Sequence, residues 1–328
     1  MSAARYDGIT FLSDNSATQS LFSFRFMVTR FFMDCNKLNK IMYTLDIGSV
    51  CVVKYRKEYR KVIKMDKLEV LRSKTSFICD MDGVIYHGNK LIPHVKEFID
   101  WLEKNNKNYL FLTNGSGRSP RELSQKLERM GLHVDQEHFY TSAQATASFL
   151  ASQCEGGSAY VIGEPGLTYA MYEAGFSMND VNPDYVVFGS SKSLNYEQIE
   201  KASRLIMNGA KLIGTNSDLT DPSEDGIVPA CRALIAPIEL TTGRKAYYIG
   251  KPNPLMMRHA LKKLNCHRTD AALIGDRMDT DIIAGIETEI DATVLVLSGV
   301  TRLEDLDKFP YRPRYILRDI GVIAGIED

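Results

Sequence analysis

The sequence predicts an α/β protein in which helices cover both faces of a parallel sheet and a second α/β domain is inserted into the first. Short apolar runs alternate with helical patterns from Ser76 onwards, and this alternation is typical of a parallel sheet. Polar clusters directly follow four of these runs. A second alternating set, at about residues 151–245, interrupts the first set and therefore indicates an insertion.

The spacing of apolar residues predicts the individual elements. The run "FIC" is followed by a helical pattern and then by the strand "NYLFLTN". Ser119 and Pro120 mark the start of the next helix, as N-cap and first helical residue, and Gly131 marks its end. We expect strands at 77–79, 108–114, 159–163, 184–189, 211–215, 246–250, 271–275 and 292–299, and helices at 93–106, 119–132, 141–153, 195–209, 253–265 and 280–288.

These elements divide the chain into four segments. Residues 66–150 and 246–328 are expected to form the two parts of the first domain, and residues 151–245 the inserted domain. Residues 1–65 carry a net charge of +6, against −7 for the remainder, and they lack clean periodicity. We interpret them as an extension outside the functional domain. A small appended element and an organelle-targeting segment are the alternatives, although two early aspartates count against targeting.

Composition and charge exclude several classes of protein. The 328 residues are 44% hydrophobic and 25% charged, as in ordinary soluble globular proteins. The net charge of −1 predicts neither a nucleic-acid nor a membrane partner, and no apolar run is long enough for a membrane-spanning helix. The six cysteines are scattered without a C-x-x-C pair, so we expect no disulfide framework, no zinc site and a cytoplasmic location. A homo-oligomer is compatible with these features.

The four polar clusters are expected to meet at one site. They are Asp80 with Asp82, Thr113 with Asn114, Lys251, and Asp276 with Asp279 and Asp281. The C-terminal ends of parallel strands form a single crevice in which ligands bind, and each cluster follows a predicted strand. Any one cluster alone is more simply a turn, a helix cap or a solvated loop. All four in this order indicate a shared site.

The residue types indicate a metal ion and a phosphate. Asp80, Asp82 and Asp276 would place three carboxylates in a small volume, and a divalent cation would remove their repulsion. Oxygen ligands favour Mg2+ over zinc. Lys251 adds a positive charge for a phosphate, and Thr113 adds a hydroxyl donor.

Further residues of these clusters extend this chemistry. Asn114 joins Thr113 as a phosphate-binding candidate, and Gly115 and Gly117 would let backbone N–H groups approach a ligand closely. One carboxylate of the D-x-D pair can attack phosphorus while the other handles the leaving-group proton, with Gly83 freeing the turn between them. The glycine motifs of P-loop and dinucleotide-binding proteins are absent from the sequence.

Four motifs resemble those of the haloacid dehalogenase superfamily of phosphatases: "DMDGV", "LTNGS", "GKPNP" and "GDRMDTDI". The stretches "YTSAQATASFL", "NGAKLIGTNSD" and "VLSGVTRLEDL" resemble its NagD subfamily, and the resemblance runs from about Phe77 to the C-terminus. It implies a Rossmann-like core with an α/β cap between the second and third motifs, where we place the insertion. It also implies a Mg2+-dependent phosphomonoesterase that forms an aspartyl-phosphate.

The resemblance implies a role for each motif residue. Asp80 would be the nucleophile and Asp82 the acid/base. The metal would be held by the Asp80 carboxylate, the Asp82 backbone carbonyl and Asp276, and the phosphoryl group by Thr113 and Lys251. Asp281 would support the outer shell of the metal, and Asp279 is as readily a helix cap. Cap residues around Asn216 to Pro229, including Asn216, Asp218 and Asp221, would contact the leaving group.

Two points stay open at this level. Arg232 stands where the resemblance implies a glycine, and solvent exposure is favoured over a substrate contact. The substrate is expected to be a small organic phosphate, with a nucleoside monophosphate such as UMP as the best single guess. Sugar phosphate, phosphoglycolate and 4-nitrophenyl phosphate are alternatives. Asp82 argues against a dehalogenase or a P-type ATPase, whereas a phosphomutase and a non-catalytic phosphate-binding protein of this fold remain as rivals.

Overall fold

The computed structural model describes residues 3–6, 9–12, 67–223 and 226–326. The chain divides into two compact units, Met1–Lys64 and Met65–Asp328. In the first unit, the described backbone forms one antiparallel pair of strands, β1 (Ala3–Tyr6) and β2 (Ile9–Leu12). The rest of the predicted extension, together with its proposed role, lies outside the described residues.

The second unit follows the predicted alternation of strands and helices. Its strands are β3 (Ser76–Asp80), β4 (Tyr86–His87), β5 (Lys90–Leu91), β6 (Asn108–Thr113), β7 (Phe139–Thr141), β8 (Ser158–Ile162), β9 (Ser177–Met178), β10 (Tyr185–Phe188), β11 (Lys211–Gly214), β12 (Thr220–Ser223), β13 (Gly226–Pro229), β14 (Tyr247–Tyr248), β15 (Ala271–Gly275), β16 (Ala292–Val296) and β17 (Tyr315–Leu317). Its helices are α1 (Val95–Lys104), α2 (Pro120–Arg129), α3 (Ser142–Gln153), α4 (Pro165–Glu173), α5 (Tyr196–Met207), α6 (Cys231–Thr242), α7 (Pro254–Lys263), α8 (Ile283–Glu287) and α9 (Gly321–Ala324). No helix within the described ranges has the length and apolar character needed to cross a membrane.

The first sheet has six parallel strands in the order β17–β16–β15–β3–β6–β7. Its strands are almost completely buried, because helices cover both faces. On one face Phe77 packs edge-on against Phe98 of α1, with ring centroids 6.2 Å apart. On the other face Ile78 belongs to a cluster that includes α3 and α7. The predicted α/β class with a parallel, Rossmann-like sheet is confirmed.

Helix α2 shows why the predicted boundaries hold locally. The Ser119 side chain accepts a hydrogen bond from the backbone N–H of Glu122, and the Glu122 carboxylate accepts one from the backbone N–H of Ser119. This capping box satisfies two N–H groups that a helix start would otherwise leave unpaired. Pro120 occupies the first turn, and Gly131 follows the helix with a left-handed φ of 81°. All three boundary signals therefore lie where the sequence predicts them.

A second parallel sheet, in the order β14–β11–β10–β8–β9, forms the inserted domain. It carries the hairpin β12–β13 as well. The sequence assigned "AYYIG" to the first domain, but β14 pairs with β11 in this second sheet. Gly214 permits that pairing, because a side chain there would overlap the Tyr248 ring. The prediction that this strand belongs to the first domain is therefore wrong. The alternation of strands and helices along a sequence does not reveal which sheet an edge strand joins.

Candidate functional site

The ends of three neighbouring core strands bring the predicted polar residues together. Asp80 is the last residue of β3, Thr113 is the last residue of β6, and Asp276 directly follows β15. Strand β3 lies between β15 and β6, and all three are parallel, so these side chains start from adjacent strand ends. All three residues are buried. The geometry predicted from the strand pattern is therefore present.

Lys251 lies between two carboxylates in this crevice. Its side chain is 2% exposed, and Nζ donates to Asp80 Oδ1 at 2.5 Å and to Asp281 Oδ1 at 2.7 Å. Burial by itself would lower the pKa of the Lys251 ammonium, but the carboxylates of Asp281 and Asp80 outweigh it and hold that pKa above its ordinary value. Lys251 is therefore charged, and its third N–H can serve a phosphoryl oxygen.

Asp281 is anchored through both of its carboxylate oxygens. Oδ1 accepts from Lys251, and Oδ2 accepts from the backbone N–H of Arg277 at 3.1 Å. Asp281 is fully buried in a π-helical turn, Met278–Ile282, of a kind that occurs often at functional sites. Gly275 makes this position available, because a Cβ there would overlap the Asp281 side chain. Since both oxygens have partners, Asp281 suits a supporting role better than direct ligation of a metal.

Asp276, in contrast, keeps one carboxylate oxygen unpaired. Oδ2 accepts from the backbone N–H of Val300 at 2.7 Å, whereas Oδ1 is buried and has no hydrogen-bond partner among the described residues. The Asp276 carboxylate packs directly against two glycines, because a Cβ on Gly83 or on Gly299 would overlap it. Gly83 also has a left-handed φ of 82°, which freely admits only glycine. A buried unpaired oxygen costs about 1–3 kcal/mol, which a bound cation would offset.

The carboxylates fit a divalent cation. Asp80, Asp276 and Asp281 each offer an oxygen, and these atoms lie within 4.8 Å of one another. Burial, reinforced by the charge of Asp281, raises the pKa of Asp276 to about 7. Burial also raises the pKa of Asp80 well above its ordinary value, although Lys251 opposes the shift. One ammonium does not balance three buried carboxylates, and a donor set made only of oxygens suits a hard cation.

Asp82 lies at the solvent side of the crevice, beside two residues that the sequence did not single out. The Tyr86 hydroxyl donates to Asp82 Oδ2 at 3.3 Å, and Lys126 Nζ lies 3.5 Å from the centroid of the Tyr86 ring. Although Asp82 remains exposed, the surrounding protein displaces part of its water, which raises the pKa of its carboxyl; Lys126 opposes this shift. A raised pKa suits a group that transfers protons.

Thr113 presents an oriented hydroxyl. Its Oγ1 accepts a hydrogen bond from the backbone N–H of Gly115 at 3.0 Å. A Cβ on Gly115 would lie 3.2 Å from the same oxygen, so glycine lets the loop approach this closely. Because Oγ1 already accepts, its proton is free to donate to a ligand. Gly117 lies further along this loop and contacts the inserted domain, where its carbonyl accepts from the backbone N–H of Gly166.

Asn114 uses its whole side-chain amide within the protein. Its Oδ1 accepts from the backbone N–H of Lys251 at 2.8 Å, and its Nδ2 donates to the Lys251 carbonyl at 3.0 Å and to Asp218 Oδ2 at 2.8 Å. Its own carbonyl accepts from Asn216 Nδ2 at 2.7 Å. The Asn114 side chain therefore positions Lys251 and joins the two domains, which leaves only its backbone for the predicted phosphate contact.

Arg277 is a site residue that sequence reasoning missed. Its guanidinium forms a two-pronged contact with Asp279, at 3.1 and 2.8 Å, and lies 3.8 Å from Asp218 Oδ1. It thus connects the fourth motif to the cap, and Asp279 holds it in place at the surface. The only sequence signal for this role was an arginine between two aspartates of one motif.

The predicted cap residues divide into three kinds. Asn216 and Asp218 are buried and bonded to the core, as described above. Asp221 is half-buried, and its burial together with the charges of Asp218 and Asp82 raises its pKa to about 6. Arg232 is exposed, as favoured from the sequence, and its backbone N–H donates to the Asp218 carbonyl. Of this set, Asp221 is the carboxylate beside the crevice that has no bond tying it to the core among the described residues.

Comparisons with known proteins agree with this fold. The family model described as "Haloacid dehalogenase-like hydrolase" matches residues 77–177, and a second, described as HAD-hydrolase-like, matches residues 248–323. Dihydroxyacetone phosphatase of Corynebacterium glutamicum is 44% identical over 253 residues, which cover 77% of this chain and 92% of that protein. Ribonucleotide monophosphatase NagD of Escherichia coli is 42% identical over 249 residues, covering 76% and 98% respectively.

A solved structure shows the same architecture. The 4-nitrophenylphosphatase of Thermotoga maritima superposes with a TM-score of 0.75 at 34% identity, covering 78% of this chain and 98% of that one. The chain therefore belongs to the haloacid dehalogenase superfamily of hydrolases. Within it the protein is a NagD-subfamily phosphatase, an enzyme that hydrolyses phosphoric monoesters.

Proposed function

We propose that this phosphatase is Mg2+-dependent and hydrolyses a small organic phosphate through an aspartyl-phosphate on Asp80. One observation carries the proposal. Three buried carboxylates, those of Asp80, Asp276 and Asp281, converge within 4.8 Å beside the charged Lys251. Such a cluster is costly for the fold unless a cation offsets its charge, and that cation together with Lys251 would attract a phosphate.

In the first step, an Asp80 oxygen attacks phosphorus, and the bond from phosphorus to the leaving oxygen breaks. Lys251 holds Asp80 Oδ1, so we assign the attack to Oδ2. Asp82 donates its proton to the leaving oxygen, which departs as a neutral alcohol. Thr113 and Lys251 hold the phosphoryl oxygens through the O–H and N–H groups that the protein leaves available.

In the second step, water attacks the phosphorus of the acyl phosphate. Asp82, now a carboxylate, accepts the proton of the attacking water, and the bond between Asp80 and phosphorus breaks. Inorganic phosphate leaves, Asp80 is again a carboxylate, and Asp82 is again protonated. The raised pKa of Asp82 matches this alternation between acid and base.

We assign the binding of Mg2+ to the carboxylates of Asp80 and Asp276 and to the backbone carbonyl of Asp82. Asp281 would hold Lys251 in place and support the outer coordination shell of the metal. When bound, the ion offsets the carboxylate charge and polarises the phosphoryl group. The unpaired Oδ1 of Asp276 and the fully bonded carboxylate of Asp281 support this division of roles.

We further propose that the inserted domain, bounded near residues 151 and 245, is a cap that contacts the leaving group. The contacts of Asn114 with Asn216 and Asp218 support this, because these two residues precede the hairpin β12–β13 and are bonded to a residue that also holds Lys251. For the substrate we propose a nucleoside monophosphate such as UMP, in line with the name of the NagD relative. The name of the Corynebacterium relative favours dihydroxyacetone phosphate as the competing candidate.

A phosphate-release screen tests the proposal. Wild-type protein is assayed on nucleoside monophosphates, dihydroxyacetone phosphate, phosphoglycolate and 4-nitrophenyl phosphate, after chelation and after Mg2+ is restored. We expect activity to vanish on chelation, to return with Mg2+, and to be highest on UMP. Asp80→Asn should remain folded but keep less than about a hundredth of the activity, since the covalent route is lost. Higher residual activity in folded Asp80→Asn would contradict the assigned nucleophile.

A further inference from the structure

A second cavity lies at the opposite end of the inserted sheet from the catalytic crevice. It opens where α3 of the core meets the amino ends of the cap strands, and its walls include Phe149, Tyr185, Lys211, Arg244 and Tyr247. None of the residues assigned to phosphoryl transfer lines it. The core, through Phe149, and the inserted domain, through the other four residues, therefore both contribute to this cavity.

The strand directions separate this cavity from the active site. Lys211 is the first residue of β11, and Asn216 follows the other end of the same strand. The Asn216 side chain donates to the carbonyl of Asn114 at the catalytic crevice. At about 3.3 Å per residue, an extended segment of five residues places Lys211 and Asn216 roughly 16 Å apart. Arg244 likewise precedes β14, and Lys251 follows it. A ligand in this cavity would thus bind apart from the phosphate.

The charge of the cavity is one-sided. Lys211, Arg244 and Lys245 line it, and none of the described lining residues is acidic. Lys245 Nζ is paired with Glu239 at 3.1 Å, but within residues 67–326 the Arg244 guanidinium has no side-chain partner. An unpaired cation on a concave surface attracts an anion, and arginine matches the geometry of phosphate or sulfate oxygens.

Aromatic rings supply the remaining recognition surface. The Phe149 ring from the core and the Tyr247 ring from the cap lie 5.7 Å apart, tilted by 40°. Tyr247 is 48% exposed, and Phe149 is half-buried, so both rings offer surface to a ligand. The Lys211 ammonium lies 5.5 Å from the centroid of the buried Tyr185 ring, which holds its charge at the cavity wall. A planar group of a ligand can stack on such aromatic rings, while the neighbouring cations bind the negative charge of the ligand.

We propose that this cavity is a binding site for a small aromatic anion. The planar group would pack on Phe149 and Tyr247, and the anionic group would bind Arg244 and Lys211. The site is independent of the proposed phosphoryl chemistry, so an inactive protein can report on it.

Calorimetric titration of the full chain with adenosine 3′,5′-cyclic monophosphate tests this site. The probe is a phosphodiester, so a phosphomonoesterase leaves it intact. We expect a Kd below about 1 mM for the wild type. Arg244→Ala and Lys211→Ala should each weaken binding at least about tenfold, and Phe149→Leu about threefold or more. Dimethyl phosphate, which carries the charge without a ring, should bind at least about tenfold more weakly than the cyclic nucleotide.

Two control variants locate the binding. Lys263→Ala removes an exposed lysine on α7, outside the cavity, and Asp80→Asn disables the catalytic site; both should bind the probe as the wild type does. The proposal is overturned if the wild type shows no binding at probe concentrations up to about 5 mM. It is equally overturned if Arg244→Ala binds normally, if Asp80→Asn abolishes binding, or if dimethyl phosphate binds as tightly as the cyclic nucleotide.

Discussion

At the scale of single residues, the catalytic crevice depends on glycines that admit carboxylates to the strand ends. Gly275 admits Asp281, and Gly83 and Gly299 admit Asp276. The result is that Lys251 has two carboxylate partners and Asp276 retains an unpaired oxygen. The glycines of the backbone therefore allow Asp281 to bind Lys251 and leave an oxygen of Asp276 available for a cation.

Asp281 and Asp279 form a matched pair for testing this division. Both lie in the same π-helical turn, but Asp281 is fully buried against Lys251, whereas Asp279 is surface-exposed and holds Arg277. We expect Asp281→Asn to lower kcat/KM about 10- to 100-fold, as expected for a residue that supports a metal site. Asp279→Asn should change it less than about threefold, because an exposed ion pair contributes little.

The measurement is kcat/KM for a single substrate over a Mg2+ titration in both variants. Asp281→Asn should also require more Mg2+ for half-maximal activity, which a purely structural role would not produce. Equal effects of the two substitutions would contradict the role given to Asp281.

Residue roles could be predicted from the sequence only in part. Asp80, Thr113 and Asp276 lie at the ends of apolar runs, and the parallel direction of three neighbouring core strands brings them together. Lys251 follows β14 of the second sheet, so its position in the site could not be predicted from the core strands. The occupied amide of Asn114 could not be predicted, because its partners lie more than 100 positions away. The contacts of Arg277 with Asp218 and of Tyr86 with Lys126 could not be predicted either, because they depend on how loops and helices pack.

At the scale of elements, charged residues tie the amino ends of the core strands together. Lys74, which precedes β3, is paired with Asp291, which precedes β16, and Nζ of Lys74 also donates to the Thr269 carbonyl at 2.6 Å. Arg314, before β17, pairs with the same aspartate. The hydrogen bond from Lys74, reinforced by Arg314, lowers the pKa of Asp291.

This network predicts a pH-dependent contribution to stability. The pKa of Asp291 is lower in the folded than in the unfolded protein, so its stabilising effect is present above the unfolded pKa of about 4. It is lost as the pH falls through the folded pKa. Because Asp291 is about one-third exposed, solvent screens its ion pairs. Asp291→Asn should therefore lower the free energy of unfolding by only about 1 kcal/mol at neutral pH, and the difference should shrink below about pH 4.

Denaturant unfolding at several pH values measures this difference. Asp100→Asn is the control, because Asp100 is exposed on α1 and should change stability by less than about 0.5 kcal/mol. A constant difference between wild type and Asp291→Asn across the pH range would contradict the role of the charge.

The cap hairpin β12–β13 leads to a separate prediction about substrate choice. Asp218 is bonded to Asn114, so Asp218→Asn should lower kcat/KM for UMP and for 4-nitrophenyl phosphate by similar factors. Asp221 lies beside the crevice without that anchor, so Asp221→Asn should change the ratio of the two kcat/KM values by about three- to tenfold. Exposed Arg232→Ala should change neither. An unchanged ratio in Asp221→Asn would remove the hairpin from substrate recognition.

Element positions were predicted well where periodicity is long and poorly at edges. Strand β15 has the predicted bounds, and α2 starts at the predicted cap. The short edge strand β17 gave no recognisable pattern, and β14 was assigned to the wrong sheet. An edge strand has one pairing partner, so its assignment depends on tertiary packing that local sequence does not encode.

At the scale of the whole molecule, the unit Met65–Asp328 contains every residue assigned to the chemistry. The curated relatives align over 92% or more of their own length with about 250 residues of this chain. We therefore expect a chain that starts at Met65 to fold and to hydrolyse 4-nitrophenyl phosphate within about threefold of the full-length rate. Circular dichroism and phosphate release measure the two properties. A folded but inactive truncation, or one that cannot fold, would show that residues 1–64 belong to the catalytic unit.

The most direct test of the central claim is to trap the phosphate on Asp80. In Asp82→Asn the base for the second step is missing, while 4-nitrophenolate leaves without needing a proton, so the acyl phosphate should accumulate. The reaction is quenched in acid and reduced with borohydride, which converts a phosphorylated aspartate into homoserine, and peptide mass spectrometry locates the change. We predict homoserine at position 80 with substrate and none without it. Homoserine at another aspartate, or none while nitrophenolate is released in a stoichiometric burst, would contradict the account.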